Sequence, residues 1–127
     1  MRLRLSQVSD TASRRPDRPG KRGDSITIAL PGDLGTPRPG LTIQTNQFEG
    51  TATVTILLVS STFVQAPLLR VTVQPGSENG LQKPSQVMID KIMTLKRDKL
   101  GRAFGHIGPE VLLEIERGLA VFLGIAT

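Results

Sequence analysis

The run Ala52-Thr53-Val54-Thr55-Ile56-Leu57-Leu58-Val59 decides the fold class of this chain. It is apolar and β-branched, the composition of a central strand buried on both faces. Working outward, Ser25–Leu30 alternates, with Ile26, Ile28 and Leu30 on one face. Leu41–Thr45 alternates again. Leu69–Gln74 places Leu69, Val71 and Val73 inward and Arg70, Thr72 and Gln74 outward, while Val87–Ile89 and Ala103–Ile107 read as further short strands. Pro31–Pro39 carries three prolines and two glycines in nine residues, which predicts a loop. Pro75–Pro84 is a long turn region in which Asn79-Gly80 supplies the positive-φ signal. The last element differs. Pro109 suits a first helical turn, Glu110 complements the helix dipole, and Leu112, Ile115, Leu119 and Phe122 recur at helical spacing before Gly124. Five to seven antiparallel strands and one C-terminal helix are expected, a mainly β small barrel capped by a helix.

With 127 residues the chain fits one domain. Cysteine is absent, which excludes disulfides, thiolate nucleophiles and cysteine-ligated zinc. A single histidine, His106, rules out a His–His acid/base pair within the chain and leaves a transition-metal site without its usual ligands. No metal or other cofactor is expected, although carboxylate-bound Mg²⁺ stays open. Four Phe, with no Trp or Tyr, give few platforms for stacking bases.

The net charge of +5 is unevenly placed. Residues 1–22 hold seven basic and two acidic groups, and residues 23–127 hold nine of each. Any polyanion site in the folded part must therefore be a local cluster. Residues 1–20 lack hydrophobic periodicity and are expected to be a disordered basic extension before a domain at 21–127. Met1–Leu5 looks like a signal n-region, but Ser6–Asp10 supplies no apolar continuation, so no signal peptide is expected. The longest apolar run near the end, Gly118–Ala126, has nine residues, far short of a membrane span.

Few residues offer chemistry. Arg38 lies between Pro37 and Pro39, which fix its backbone and make a rigid mount for a phosphate-binding guanidinium. An inert surface arginine fits the same spacing. Ser60-Ser61-Thr62 places three hydroxyls directly after the buried run, where they can donate to phosphate oxygens or simply form a turn. His106 has no partner histidine and reads as structural or exposed. Arg22-Gly23-Asp24 marks the entry to the first strand. Lys91, Lys96, Arg97, Lys99 and Arg102 are interrupted by Asp90 and Asp98, the pattern of a solvated face.

In succession, these motifs resemble the MazF/PemK-type toxin endoribonucleases. Arg22-Gly-Asp24 is similar to the family's opening, and Pro37-Arg-Pro39 with Gly40-Leu-Thr-Ile-Gln44 to its R-P-x-L/V-V-x-Q strand. Ser60-Ser-Thr62 resembles its T-[ST]-[TQ] strand ending. Glu78-Asn-Gly-Leu81 and Lys83-Pro-Ser-Gln-Val87 resemble its turn and following strand, and Gly108-Pro-Glu110 through Phe122-Leu-Gly124 its C-terminus. The resemblance covers residues 21–127 in order.

That resemblance implies an SH3-like (CcdB/PemK-like) antiparallel barrel, a homodimer, and the toxin half of a type II toxin–antitoxin pair. It implies cytoplasmic, metal-independent, sequence-specific cleavage of single-stranded RNA by 2′-OH attack, without a membrane partner. Arg38 takes the family's loop arginine and Ser60 its catalytic threonine, with the hydroxyl kept and the methyl lost. Ser61, Thr62 and Gln86 are the expected RNA contacts, and an acidic cognate antitoxin the expected protein partner. Two other readings remain at this point: a CcdB-like gyrase poison without nuclease activity, and a catalytically weak antitoxin-binding module.

Overall fold

The structure is a computed structural model and describes residues 20–30 and 36–126. The extension expected over residues 1–20 lies outside the described residues except for Gly20, and so do residues 31–35 of the proline-rich loop. Six strands form one sheet: β1 (Asp24–Ile28), β2 (Arg38–Thr42), β3 (Thr53–Ser60), β4 (Arg70–Val73), β5 (Ser85–Lys96) and β6 (Leu100–His106). One helix, α1 (Pro109–Phe122), follows. The order across the sheet is β4-β5-β3-β2-β1-β6, and each neighbouring pair is antiparallel.

β3 is covered from both sides, as its composition predicts. Val54 and Ile56 pack with Ile26 and Ile28 in one cluster, which Met93, Leu95 and Leu100 flank. Leu57 and Val59 belong to the other, with Leu41, Val71, Val87, Ile89 and Ile115. Each fully buried aliphatic side chain contributes roughly 1.5–3 kcal/mol, so the two clusters dominate the stability of the fold.

One strand serves both. Opposite the step from Leu57 to Val59, two residues of β3 span five of β5, because Leu57 pairs with Ile92 and Val59 with Val87. The inserted residues break the register, and such a bulge lets a strand bend and twist. Beyond it β5 has β4 on its other side, from Arg70↔Met88 to Val73↔Ser85. The sequence reading stops β5 at Ile89 because Asp90, Lys91 and Lys96 look like a solvated face. They belong to one 12-residue strand, with Lys91 and Lys96 exposed and Asp90 half-buried.

The sheet itself is open, with β4 and β6 at its edges. The loop after β4 bridges them. Buried Asn79 holds this loop together: its Oδ1 accepts from the Gly76 and Leu81 amides at 3.1 and 2.9 Å, and its Nδ2 donates to the Gln74 carbonyl at 2.9 Å. Gly80 takes φ 70°, which the Asn-Gly turn anticipates. The His106 amide then donates to the Glu78 carbonyl at 2.7 Å. Gly105 lies so close to the Asn79 main chain that a Cβ would collide with it.

α1 rests on β4 and β5. Ile115 is fully buried, and Leu112 and Leu119 pack on the same cluster. Phe122, expected on this face, is instead half exposed beside exposed Val121 and Leu123. Pro109 opens the helix and Gly124, at φ 75°, ends it. Arg22 fastens the helix to the sheet by donating to the Ile43 carbonyl and the Glu116 carboxylate.

The loop expected over Pro31–Pro39 ends sooner than its prolines suggest. Arg38 and Pro39 already pair with Ile28 and Thr27 of β1. Pro39 is tolerated because pairing with β3 begins only at Gly40, so no ladder on that side needs the missing amide.

The docking of the β4–β5 loop on β6 predicts that Gly105→Ala costs about 1–3 kcal/mol, the range for a methyl forced into a filled site. Gly50→Ala, where a Cβ meets nothing within 4 Å, should leave stability unchanged in the same denaturation experiment. Equal stability of the two variants would contradict the docked loop.

Candidate functional site

The sequence candidates converge through strand register. β2 pairs with β3 at Gly40↔Leu58, Leu41↔Leu57 and Thr42↔Ile56. β2 begins at Arg38, two residues before this ladder starts, and β3 ends at Ser60, two residues beyond it. Ser60 pairs with Gln86 of β5, and Gln86 with Thr72 of β4. Ser60, Gln86 and Thr72 thus form one row across β3, β5 and β4, and Arg38 opens the strand on the other side of β3.

Ser60 ends β3 at the point where burial ends. Its Oγ accepts the Thr62 amide at 3.0 Å, a turn that fixes the oxygen without a methyl group to restrict it. The same hydroxyl donates to the Thr62 carbonyl at 3.5 Å, a long bond that a better acceptor can replace. Ser61 and Thr62 are exposed beside it, and Arg38 is exposed at the start of β2.

Gln86 behaves differently from the other candidates. It is only 7% exposed, and both ends of its amide are engaged. Oε1 accepts from the Val64 amide at 3.0 Å and Nε2 donates to the Val64 carbonyl at 3.1 Å. The loop between β3 and β4 is therefore fastened to the floor of the sheet at its second apolar residue. Beneath this loop runs a groove of about 650 Å³, lined by Phe63, Val64, Pro67, Arg70, Thr72 and Gln86 among others. The Arg70 guanidinium donates to the Asp90 carboxylate and, at 2.9 Å, to the Leu69 carbonyl. Neither the Val64 clamp nor the Arg70–Asp90 pair is signalled by local sequence.

The remaining candidates lie elsewhere. Asp24 and His106 pair across β1 and β6, at the opposite end of β1 from Ile28, the neighbour of Arg38. Gly23, at φ 90°, makes the turn into β1 by donating to the Thr42 carbonyl at 2.8 Å. In the basic cluster, Arg97 donates to the Thr51 and Glu49 carbonyls. Lys91, Lys96, Lys99 and Arg102 are exposed, as a solvated face requires. Among the described residues no three of His, Asp and Glu are grouped to hold a metal ion, and no helix is long and apolar enough to cross a membrane.

A family model described as PemK-like, MazF-like toxin of type II toxin–antitoxin system matches residues 21–123. Over 107 residues the chain is 40% identical to the probable endoribonuclease MazF of Mycolicibacterium smegmatis, covering 84% of this chain and 98% of that protein. A solved mycobacterial endoribonuclease in complex with its cognate antitoxin matches with a TM-score of 0.70 at 27% identity, over 84% of this chain and 97% of that one. The MazE–MazF complex of Deinococcus radiodurans matches in fold with a TM-score of 0.69 at 20% identity, over 84% and 96% of the two chains. The fold is that of a small antiparallel toxin domain. More narrowly, the chain belongs to the PemK-like, MazF-like toxins of type II toxin–antitoxin systems, the family its ordered motifs resemble.

Asp24 gives a pH test of the other end of β1. Burial raises its carboxyl above the usual 3.8, opposed by the Lys21 amide and His106. The folded state then binds the proton more tightly than the unfolded state. This contribution to stability is full below 3.8 and is lost as pH rises through the folded value. Relative to Asp24→Asn, the wild-type chain should lose stability over that rise. A stability difference that does not vary with pH would show that burial of the carboxyl is not felt.

Proposed function

We propose that this endoribonuclease toxin cuts single-stranded RNA at short sequences without a metal ion, using the RNA's own 2′-OH as the nucleophile. The observation that supports the reading is that β2 and β3 pair antiparallel, with Arg38 opening one strand and Ser60 ending the other. In-line attack of the 2′ oxygen on the adjacent phosphorus forms a P–O bond and breaks the bond to the 5′ oxygen. The 2′ proton leaves to solvent, and the 5′ oxygen takes a proton from solvent and departs as a hydroxyl. The products are a 2′,3′-cyclic phosphate (or its 3′-phosphate) and a 5′-OH. The protein supplies no nucleophile here; it aligns the strand and stabilises charge on the non-bridging oxygens.

A guanidinium keeps its protons, so Arg38 works as an electrostatic clamp and donor to the phosphate and the departing oxygen. The Ser60 hydroxyl, oriented by the Thr62 amide, donates to a second phosphate oxygen. Ser61 and Thr62 hold the adjoining backbone, and Gln86 supports the stretch from across the strand. Because residues 23–127 carry no net charge, capture of RNA depends on a concentrated site. A homodimer would provide it by aligning two Arg38 faces along one groove. An acidic antitoxin segment would fold onto that track in the cytoplasm and occlude it, as a cognate antitoxin accompanies the matched mycobacterial endoribonuclease. The PemK-like, MazF-like family match favours this reading over a gyrase poison or an inactive module.

Arg38→Ala and Ser60→Ala should each lower the cleavage rate by about 10²–10³, the usual effect of removing one oxyanion donor. Ser60→Thr should retain activity, and EDTA should change nothing. Cleavage of an RNA oligonucleotide by purified protein, read on a gel, checks all three. Full activity in Arg38→Ala would overturn the site, and loss of activity in EDTA would overturn the metal-independent mechanism.

A further inference from the structure

The groove beneath the β3–β4 loop has a chemistry of its own. Phe63 lines it three residues after Ser60, with half of its surface, 50%, open to solvent. All four phenylalanines of the chain are partly exposed, and Phe63 is the one that lines this groove. It is also held in place. The Gln86 amide bonds both main-chain groups of Val64, the next residue, and so fixes the backbone that carries the ring. Only a side chain with a donor and an acceptor at one planar terminus can do this.

Charge decides what the groove can accept. Among the described residues Arg70 is the only cation lining it and is paired with Asp90, while Glu114 of α1 adds an acid. From these residues a phosphate or an acidic peptide would gain no uncompensated positive charge. A neutral planar group finds a half-exposed aromatic ring, the Thr72 side chain, and apolar lining from Val64, Ala66 and Pro67.

We infer that this groove is a nucleobase pocket: Phe63 stacks on a base flanking the cleaved phosphate, and Gln86 is a positioning residue that holds the stacking platform rather than a contact to RNA. This rests on the RNA-cleavage reading of Arg38 and Ser60. Stacking is tolerant of base identity, so sequence selection at this position comes from which bases fit between the ring and Thr72.

The test uses the full chain and a panel of single-stranded RNA oligonucleotides varied around one cut. Phe63→Ala should raise KM about fivefold to a hundredfold, the effect of losing one base–aromatic stack, with kcat little changed and base preference relaxed beside the cut. Phe63→Trp should restore KM, whereas Phe63→Leu should not. Gln86→Leu should reproduce the rise in KM and speed amide exchange over residues 62–66. Wild-type KM in Phe63→Ala while Arg38→Ala is inactive would refute the pocket and leave the nuclease site standing. Full rescue by Phe63→Leu would also refute it, by showing packing instead of stacking. So would a Phe63→Ala variant that loses antitoxin affinity alone. Full activity in Arg38→Ala would instead remove the reading on which the pocket rests.

Discussion

Every other element of this fold is arranged around a strand that must be buried on both faces. Val54 and Ile56 of β3 look one way and Leu57 and Val59 the other, and each pair anchors a separate apolar cluster. One flat sheet beside β3 covers a single side. The bulged β5 resolves this, because its extra residues opposite Leu57–Val59 let one strand feed both clusters. Met93 and Leu95 flank the cluster of Ile26 and Ile28, while Val87 and Ile89 join the cluster that α1 covers.

The same constraint positions the chemistry. β3 stays apolar for as long as both faces are covered and turns polar where the cover ends, at Ser60. Its neighbours β2 and β5 are held in register by the ladders below, and Gln86 of β5 pairs with Ser60 without any loop having to place it. Pro37 and Pro39 then limit the backbone freedom of Arg38, and the Thr62 amide limits that of the Ser60 oxygen. On the proposed reading, a site built this way needs little reorganisation at the moment of reaction, which is how fixed donors lower a barrier. The opposite end of β1 carries the Asp24–His106 pair and the arginine tie to α1, which hold the fold together and lie away from the row.

The sequence displays what is periodic. β1, β3, β4 and α1 are legible because burial imposes alternation or helical spacing on Ile26 and Ile28, on Val71 and Val73, and on Leu112, Ile115 and Leu119. The far half of β5 is hidden by its charges: Asp90 and Lys96 interrupt an apolar pattern that Ile92, Met93 and Leu95 continue. The first two residues of β2 are hidden by Pro39, since a proline argues against a strand unless its neighbour on one side is known to be missing. Arg38 and Ser60 are visible as residue types, but the pairing of their strands depends on a ladder between segments some 20 positions apart. Gln86 reads naturally as a polar contact, and only its paired bonds to Val64 show that its amide faces inward. Glu49, buried at 2% exposure with Oε1 unpartnered, has no physical explanation in this fold.

If the strand-end row is a device for aligning RNA so that its own 2′-OH attacks, the sugar at the cut must carry that hydroxyl. The most direct measurement compares an all-ribose oligonucleotide with one bearing a single 2′-deoxy sugar on the 5′ side of the mapped cut. The account predicts that the first is cut to leave a 5′-OH end, which polynucleotide kinase labels without prior phosphatase treatment, and that the second is not cut at that bond. Cleavage of the deoxy-substituted bond, or a 5′-phosphate on the product, would contradict it by requiring a nucleophile other than the RNA itself.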